Sequence, residues 1–354
     1  MAKSVQPEKS LWRTLWASIV EDRDLVFFGL SFLTWLAAYL SNPENVAVGV
    51  VGGGSFLVGI LFYFQKHRAL ARQLTGIKHI PVVCVVGKTD SEAQRTFDLA
   101  KESICSVTGF RSFDVMEKFF RIKLSLGHSE RPLPPERAAW EEFIRRVQER
   151  IDCLAETLYG TKVYHVFIQG PSSLALGLGA VFGCKHPLIA YQWSAGVYKP
   201  VLDLREDPRG KIRGSMSGDY RYIEVAPNAF EGLTTDTAVV LEMAGHSPLG
   251  TVQSYIRDTL KSNWKIVAVG NTFGGTLEED DWAPVVQELN SILVRLHSTP
   301  EVQRIHLFHS MPVALAFGLG MALGTVTPVI VYNWEAREST YYPVLELNKL
   351  ESRL

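Results

Sequence analysis

A chain of 354 residues with 47% hydrophobic and 21% charged residues has the composition of a globular protein with room for about two domains, and it excludes a disordered chain. With 36 Lys and Arg against 37 Asp and Glu the formal net charge is −1, so no overall basic field exists to hold a long nucleic acid; a small anion needs only a few local donors. Cys84, Cys105, Cys153 and Cys184 are scattered, with no CxxC and no histidine at metal spacing, and read as free thiols in a reducing compartment.

The chain opens on apolar elements. Leu11, Trp12, Leu15, Trp16, Ile19 and Val20 recur at helical spacing and predict a short amphipathic helix, lying either at a membrane interface or against the soluble part. Leu25 to Pro43 and Asn45 to Gln65 carry no charge, and each is close to the ~20 residues that cross a bilayer. The helix breakers of Ser41–Asn45 separate them, which predicts a two-helix transmembrane hairpin. Both runs start too late and extend too far for a signal peptide. Lys3, Lys9, Arg13 and Arg23 precede the hairpin and Lys66, Arg68 and Arg72 follow it, so both ends face the cytoplasm by the positive-inside rule. Gly49 and Gly53 stand at a spacing that permits close helix contact; no strand precedes this glycine-rich run, so it is not a nucleotide loop.

From about residue 76, strands and helices alternate. Pro81–Gly87 is an apolar strand of the buried parallel type, followed by a helix over Ser91–Val107. Next come a strand near Met116–Leu124, a charged helix over Glu136–Leu158, a strand over Lys162–Gln169, a helix over Ser172–Phe182 and a strand over Pro187–Gln192. Arg205–Thr237 reads as a connecting excursion with short antiparallel strands. The order then returns: strand Ala238–Met243, helix Leu249–Lys261, strand Trp264–Gly270, helix Asp281–His297, strand Arg304–His309, helix Val313–Leu323 and strand Thr327–Asn333. The expected fold is α/β, two tandem Rossmann-like units with parallel sheets behind the membrane hairpin. Its divisions are 1–75 (membrane part), 76–206 (first half), 207–236 (excursion) and 237–354 (second half).

The two halves are copies. Tyr164–Trp193 recurs as Ile305–Trp334 without a gap, at a constant offset of 306 − 165 = 141 that pairs His165 with His306, Pro171 with Pro312, Gly179 with Gly320 and Trp193 with Trp334. A slip of two residues then aligns Tyr198–Leu204 with Tyr341–Leu347.

Ligands of such sheets lie beyond the carboxyl ends of the strands, where helix starts present free N–H groups. The repeat places a strand, a tight turn and a helix start there twice, at Gln169, Gly170, Pro171, Ser172 and Ser173 and at His309, Ser310, Met311, Pro312 and Val313. Ser172 either donates to a phosphate or caps its helix. Lys88, Thr89 and Asp90 in one half, and His246 and Ser247 in the other, face the same edge. Several patterns are set aside. Gly87-Lys88-Thr89 lacks the glycine a P-loop needs at Val82. Gly177-x-Gly179 and Gly318-x-Gly320 fall inside helices and are assigned to close helix–sheet packing. His165 and His306 lie in apolar strands and read as buried, hydrogen-bonded core histidines. No metal set or catalytic dyad is seen, which favours a sensor over an enzyme.

The strand ending in a Pro/Ser turn, the helix with paired glycines, the strand ending Tyr-x-Trp and the Tyr-x-Pro-Val-Leu-Asp/Glu-Leu that follows resemble the SAVED domain over roughly residues 76 to 354. That domain looks like two fused CARF-type Rossmann units that sense cyclic oligonucleotides in CBASS anti-phage systems. With the hairpin ahead of it, the chain looks like the transmembrane-SAVED effectors of those systems. The resemblance implies a cyclic di-, tri- or tetranucleotide made by a CD-NTase, with no further cofactor, and ligand-induced head-to-tail self-association. It also implies clustering of the hairpins to disrupt the bacterial inner membrane. It implies a site at the two turns, with Trp193 and Trp334 placed to stack on a base and Tyr198 and Tyr341 nearby; packing between the halves is the alternative for these aromatics. An enzyme that degrades the messenger is the alternative function.

Overall fold

The computed structural model describes residues 78–110, 125–157, 160–213, 220–274 and 280–350, with Leu36, Ser41, Gln65, Phe113 and Leu277 as isolated positions. The interfacial helix, both apolar runs and the strand expected near Met116–Leu124 lie outside the described residues. Among the described residues no helix is long and apolar enough to cross a membrane. Two compact units divide the chain, one of Met1–Lys78, Ser112–Ile122 and Asp152–Thr161, the other of His79–Arg111, Lys123–Ile151 and Lys162–Leu354. The α/β fold belongs to the second unit.

The first sheet contains β1 (His79–Val86), β2 (Ser125–Ser129), β3 (Val163–Gln169), β4 (Leu188–Ser194) and β5 (Val197–Leu204), in the order β2-β1-β3-β4-β5. The second contains β6 (Ile223–Val225), β7 (Asp236–Glu242), β8 (Lys265–Asn271), β9 (Arg304–Ser310), β10 (Val329–Glu335) and β11 (Thr340–Glu346), in the order β11-β10-β9-β7-β8-β6. Removal of β6 leaves the same topology in both. Pairing is parallel within β2-β1-β3-β4 and within β8-β7-β9-β10. The parallel sheets expected from the sequence are corrected at one margin each, where β5 and β11 run antiparallel to their neighbours; β6, in the excursion, is antiparallel as expected there. The hairpin from β4 to β5 turns at Ala195 and Gly196, both at positive φ, which suits a tight two-residue turn. Pro200 and Pro343 stand in the outer strands opposite Tyr191 and Tyr332, where the register shifts.

The helices are α1 (Asp90–Thr108), α2 (Arg137–Thr157), α3 (Ser172–Phe182), α4 (Pro208–Arg213), α5 (Leu249–Ser254), α6 (Ala283–His297) and α7 (Val313–Leu323). A π-helical turn over Tyr255–Thr259 continues α5, so the single helix expected there is distorted after one and a half turns. Its Tyr255 ring packs against Phe308, Tyr332 and Tyr341, a tertiary demand that outweighs regular winding. In the excursion, β6 pairs with β8 and α4 precedes it. The buried Glu288 carboxylate on α6 holds this segment by accepting the N–H groups of Arg221, Tyr222 and Ile223 at 2.8, 2.9 and 3.1 Å.

Two helices at the centre join the halves. Every residue from Ser173 to Phe182 in α3 and from Ala314 to Leu323 in α7 is buried, the signature of helices surrounded on all sides. They cross at glycine. A Cβ on Gly179 would lie 2.9 Å from the Phe317 carbonyl carbon, and one on Gly320 would lie 2.8 Å from that of Leu176, with the oxygens nearer still. Gly177 leaves room for Ile144 of α2 and Leu345 of β11, and Gly318 for Leu202 of β5 and Val286 of α6. The glycine pairs therefore serve packing, as expected, but Gly179 and Gly320 serve helix on helix across the halves, not helix on sheet. The exchange is reciprocal elsewhere too. Arg137 of α2 pairs with Glu346 of β11 at 2.7 Å, and Trp282 N, just before α6, donates to Val201 O of β5 at 2.8 Å.

The matched histidines are core residues. His165 Nδ1 meets the Tyr191 hydroxyl at 2.9 Å and its Nε2 meets His79 Nδ1 at 2.9 Å. His306 Nδ1 meets the Tyr332 hydroxyl at 3.0 Å, and its Nε2 meets Asp236 at 2.9 Å. Gly179→Leu or Gly320→Leu is expected to lower the thermal unfolding temperature of the full-length protein sharply, by more than the ~1–3 kcal/mol usual for an overfilled core, because backbone and not a side chain must yield. An unchanged melting temperature in either variant would contradict the crossing.

Candidate functional site

Strand order places a topological switch point between β1 and β3 in one half and between β7 and β9 in the other, and the crevice beyond the carboxyl ends there is the ligand position of open α/β sheets. In the first half, Thr89 caps α1: its side chain accepts from Glu92 N at 3.4 Å and its own N–H donates to the Glu92 carboxylate at 3.0 Å. Lys88 lies 3.5 Å from Glu92. His128 at the end of β2 donates through Nε2 to Lys88 O at 2.7 Å, and its Nδ1 is 3.2 Å from Asp90. Gln169 accepts from the Thr96 hydroxyl at 2.8 Å. Gly170 is needed for close approach, since a Cβ there would sit 3.3 Å from Val86 Cβ. In the second half, the buried Ser310 hydroxyl lies 3.2 Å from His246 Nδ1, Ser247 donates to the Glu242 carboxylate, and Asn271 Nδ2 donates to Glu242 O at 2.8 Å.

The two turns meet each other. Pro171 and Pro312 are the extended residues before α3 and α7, and neither gives a side-chain cap. Ser172 is therefore the first helical residue and no cap; its hydroxyl lies 3.4 Å from His309 Nδ1. Ser173 is 1% exposed, and its hydroxyl contacts His309 Nε2 at 3.1 Å, Tyr332 O at 3.1 Å and Asn333 Oδ1 at 3.2 Å. The single Ser173 proton goes to the Tyr332 or Asn333 oxygen, so His309 Nε2–H donates to Ser173 and Nδ1 accepts from Ser172. This is a neutral ring, and burial pushes the His309 pKa down to about 4. From the other side, Gln192 Oε1 accepts from Ala314 N at 3.1 Å, filling one of the donor positions that a helix start leaves open.

One residue on from Gln192 and Asn333 stand matched aromatics. Trp193 and Trp334 are 44% and 40% exposed, while Tyr198 and Tyr341 beneath them are buried. Each tryptophan meets its tyrosine at 4.9 Å in an edge-on contact. Behind them Phe167 stacks on Tyr191 at 4.3 Å and Phe308 on Tyr332 at 4.2 Å. The indoles are thus held by a firm apolar base with part of each ring open.

Residues 217–347 match the family model described as "SMODS-associated and fused to various effectors sensor domain". Over these residues the chain matches the SAVED domain. The match runs from the excursion through β11, and the 141-residue repeat carries the same strand order into β1–β5. Among solved structures, the Cap4 SAVED/CARF-domain containing receptor of Acinetobacter baumannii with the cyclic trinucleotide 3′3′3′-cAAA is similar at TM-score 0.47 and 16% identity, over 82% of this chain and 56% of that one. The same receptor with 2′3′3′-cAAA gives TM-score 0.47 and 16% identity, over 82% and 55%. The Cap4 receptor of Moraxella osloensis gives TM-score 0.43 and 18% identity, over 60% and 43%. The chain thus spans about half the length of the receptors it matches. No curated protein matches it.

The seam brings together Ser172, Ser173 and His309, while Lys88, Thr89 and Asp90 group with His128, and His246, Ser247 and Ser310 with Glu242. Ser173, Ser310, Tyr198 and Tyr341 are supports rather than open surface. Gln192, Asn333, Thr96 and His128 take part without having been singled out in the sequence; the pairing 333 − 192 = 141, one residue before each tryptophan, was the available signal for the first two.

Burial also pushes His165 down, to about 3. Both rings are neutral when folded and return to near 6.5 when unfolded, so below that value the unfolded chain binds protons that the folded chain does not. Stability is accordingly full above about pH 6.5 and is lost as the pH falls toward 4. Melting temperatures measured at a series of pH values are expected to fall across that window, and His309→Asn is expected to flatten the fall. An unchanged slope in that variant would contradict the assignment.

Proposed function

We propose that this chain is the membrane-anchored effector of an anti-phage cyclic-oligonucleotide signalling (CBASS) system, in which the SAVED domain binds a cyclic oligonucleotide made by a CD-NTase. The observation that carries this reading is the pair of exposed tryptophans, one per half, standing over buried tyrosines on either side of the seam where two helix starts meet. Stacking of one base on an aromatic ring contributes on the order of 1–3 kcal/mol. First-turn N–H groups and Lys88 supply the complement to phosphate. Bound ligand favours head-to-tail association, a contact with a non-closing operator that extends into filaments. Each added subunit then concentrates another hairpin of residues 25–65 in the bacterial inner membrane, both chain ends being cytoplasmic, until the bilayer is disrupted and the infected cell dies. The charge-free runs and their flanking Lys and Arg support that part of the reading.

A second reading, an enzyme that degrades the same messenger, draws on the contact between Ser310 and His246 at the second switch point. The experiment that separates them uses the full-length protein in dye-loaded liposomes, with 3′–5′ cyclic di-, tri- and tetra-adenylate as probes. The effector is expected to release dye only with a nucleotide, and Trp193→Ala or Trp334→Ala is expected to weaken binding about tenfold or more. Lys88→Glu and Ser172→Trp are expected to suppress release. Leakage indifferent to every nucleotide would sink the proposal, and ligand recovered in linear form would favour the enzyme.

A further inference from the structure

Two side chains at the seam have no role in the function just proposed. Gln192 and Asn333 each precede the tryptophan of their own half. Their carbonyl oxygens cross to the other half, Gln192 Oε1 accepting from Ala314 N at 3.1 Å and Asn333 Oδ1 from the Ser173 hydroxyl at 3.2 Å. The recipients are themselves matched, since 314 − 173 = 141. Their amide nitrogens turn back, Gln192 Nε2 donating to Trp193 O at 3.4 Å and Asn333 Nδ2 to Trp334 O at 3.1 Å. A primary amide is planar, with acceptor and donors fixed on one rigid group. A shift of the tryptophan backbone therefore displaces the contact that completes the opposite helix start. A simple helix cap needs only the oxygen; the returning nitrogen links the cap to the residue that presents the open ring.

We infer that Gln192 and Asn333 are positioning residues that couple the two halves of the ligand face, so that a ligand seated on one tryptophan orders the helix start of the opposite half. The inference rests on the reading of this face as the cyclic-oligonucleotide site. The two arms are unequal. Ala314 N–H is fixed in the backbone, whereas the Ser173 hydroxyl can rotate to Tyr332 O at 3.1 Å and release Asn333. The Gln192 arm, from Trp193 to α7, is therefore the one whose far end cannot rotate away, although its return contact at 3.4 Å is longer than the 3.1 Å of Asn333.

Hydrogen–deuterium exchange on the full-length protein, with and without the three cyclic adenylates, tests this. In the wild type, a bound probe is expected to slow exchange over both Ser172–Leu176 and Val313–Phe317. Gln192→Leu is expected to keep the slowing over Ser172–Leu176 and lose it over Val313–Phe317, with a Kd raised about tenfold. Gln192→Asn, which places the other half's own amide there, is expected to restore part of both. Should Gln192→Leu fail to fold, Gln192→Glu keeps an acceptor for Ala314 N–H but no donor for Trp193 O, and is expected to show normal exchange without ligand and no ligand-induced slowing over Val313–Phe317. Ligand-induced slowing there equal to wild type in the folded variants would overturn the coupling while leaving the site intact. A wild type that binds none of the probes, with no slowing anywhere, would overturn the reading of the face and the coupling with it.

Discussion

Two helices can touch backbone to backbone only where neither carries a side chain at the crossing, and Gly179 and Gly320 meet that condition for α3 and α7. The remaining arrangement depends on this approach. With the axes so close, each helix is buried on every side and reaches the sheet of the other half, through Leu345 beside Gly177 and Leu202 beside Gly318. The two Rossmann-like units thus share one core instead of abutting as separate domains. The same closeness sets the helix starts side by side, near enough for Ser172 and Ser173 to reach His309 and for Gln192 to reach Ala314. A wider crossing would open that polar seam to water.

Apolar and polar contacts divide the labour between likeness and difference. The aromatic ladders repeat closely, Phe167 to Tyr198 at 5.0 Å and Phe308 to Tyr341 at 5.1 Å, because both halves must fill the same volume between strands. The hydrogen-bond partners repeat only in part: the Tyr191 and Tyr332 hydroxyls meet His165 and His306 alike, but other partners differ. His165 leans on His79 where His306 leans on Asp236, and Gln169 is held by Thr96 where Ser310 is held by His246. Each of these four groups is satisfied, but by unlike residues in the two halves. The seam is thus flanked by two frames of similar shape and unequal chemistry.

Much of this was legible along the chain. Ser172–Phe182 and Val313–Leu323 could be placed to the residue, because an unbroken apolar run lies between a proline and a glycine in each copy. The parallel strands other than β2 came within about two residues at either end for the same kind of reason, an apolar run between turn residues, whereas β2 at Ser125–Ser129, with Gly127 and His128 inside it, lies beyond the strand expected near Met116–Leu124. β5 and β11 were seen only as a repeated motif; Pro200 and Pro343 and the exposed positions around them blur a strand pattern. The π turn at Tyr255 had no local signal, since the ring's need for space arises from Phe308, Tyr332 and Tyr341. At the site, the turns and tryptophans were visible as repeats, but the facing of one turn by the other is a tertiary fact. His309 could not be separated from a phosphate-facing residue until Ser172 and Ser173 were beside it.

The prolines of the outer strands have a consequence for what the sheet margins can accept. A sheet margin with a full row of N–H and C=O groups is a template on which another chain can add as a further strand. Here Pro200 removes a donor from β5, the Val201 carbonyl is already taken by Trp282 N, and Pro343 removes a donor from β11. At the opposite margins β6 has three residues and β2 five, too short to template a long pairing. Among the described residues, then, neither sheet offers a long margin with its full row of donors and acceptors, so extension by a further strand is disfavoured and the exposed faces of this fold are side-chain surfaces, where charge and shape can discriminate.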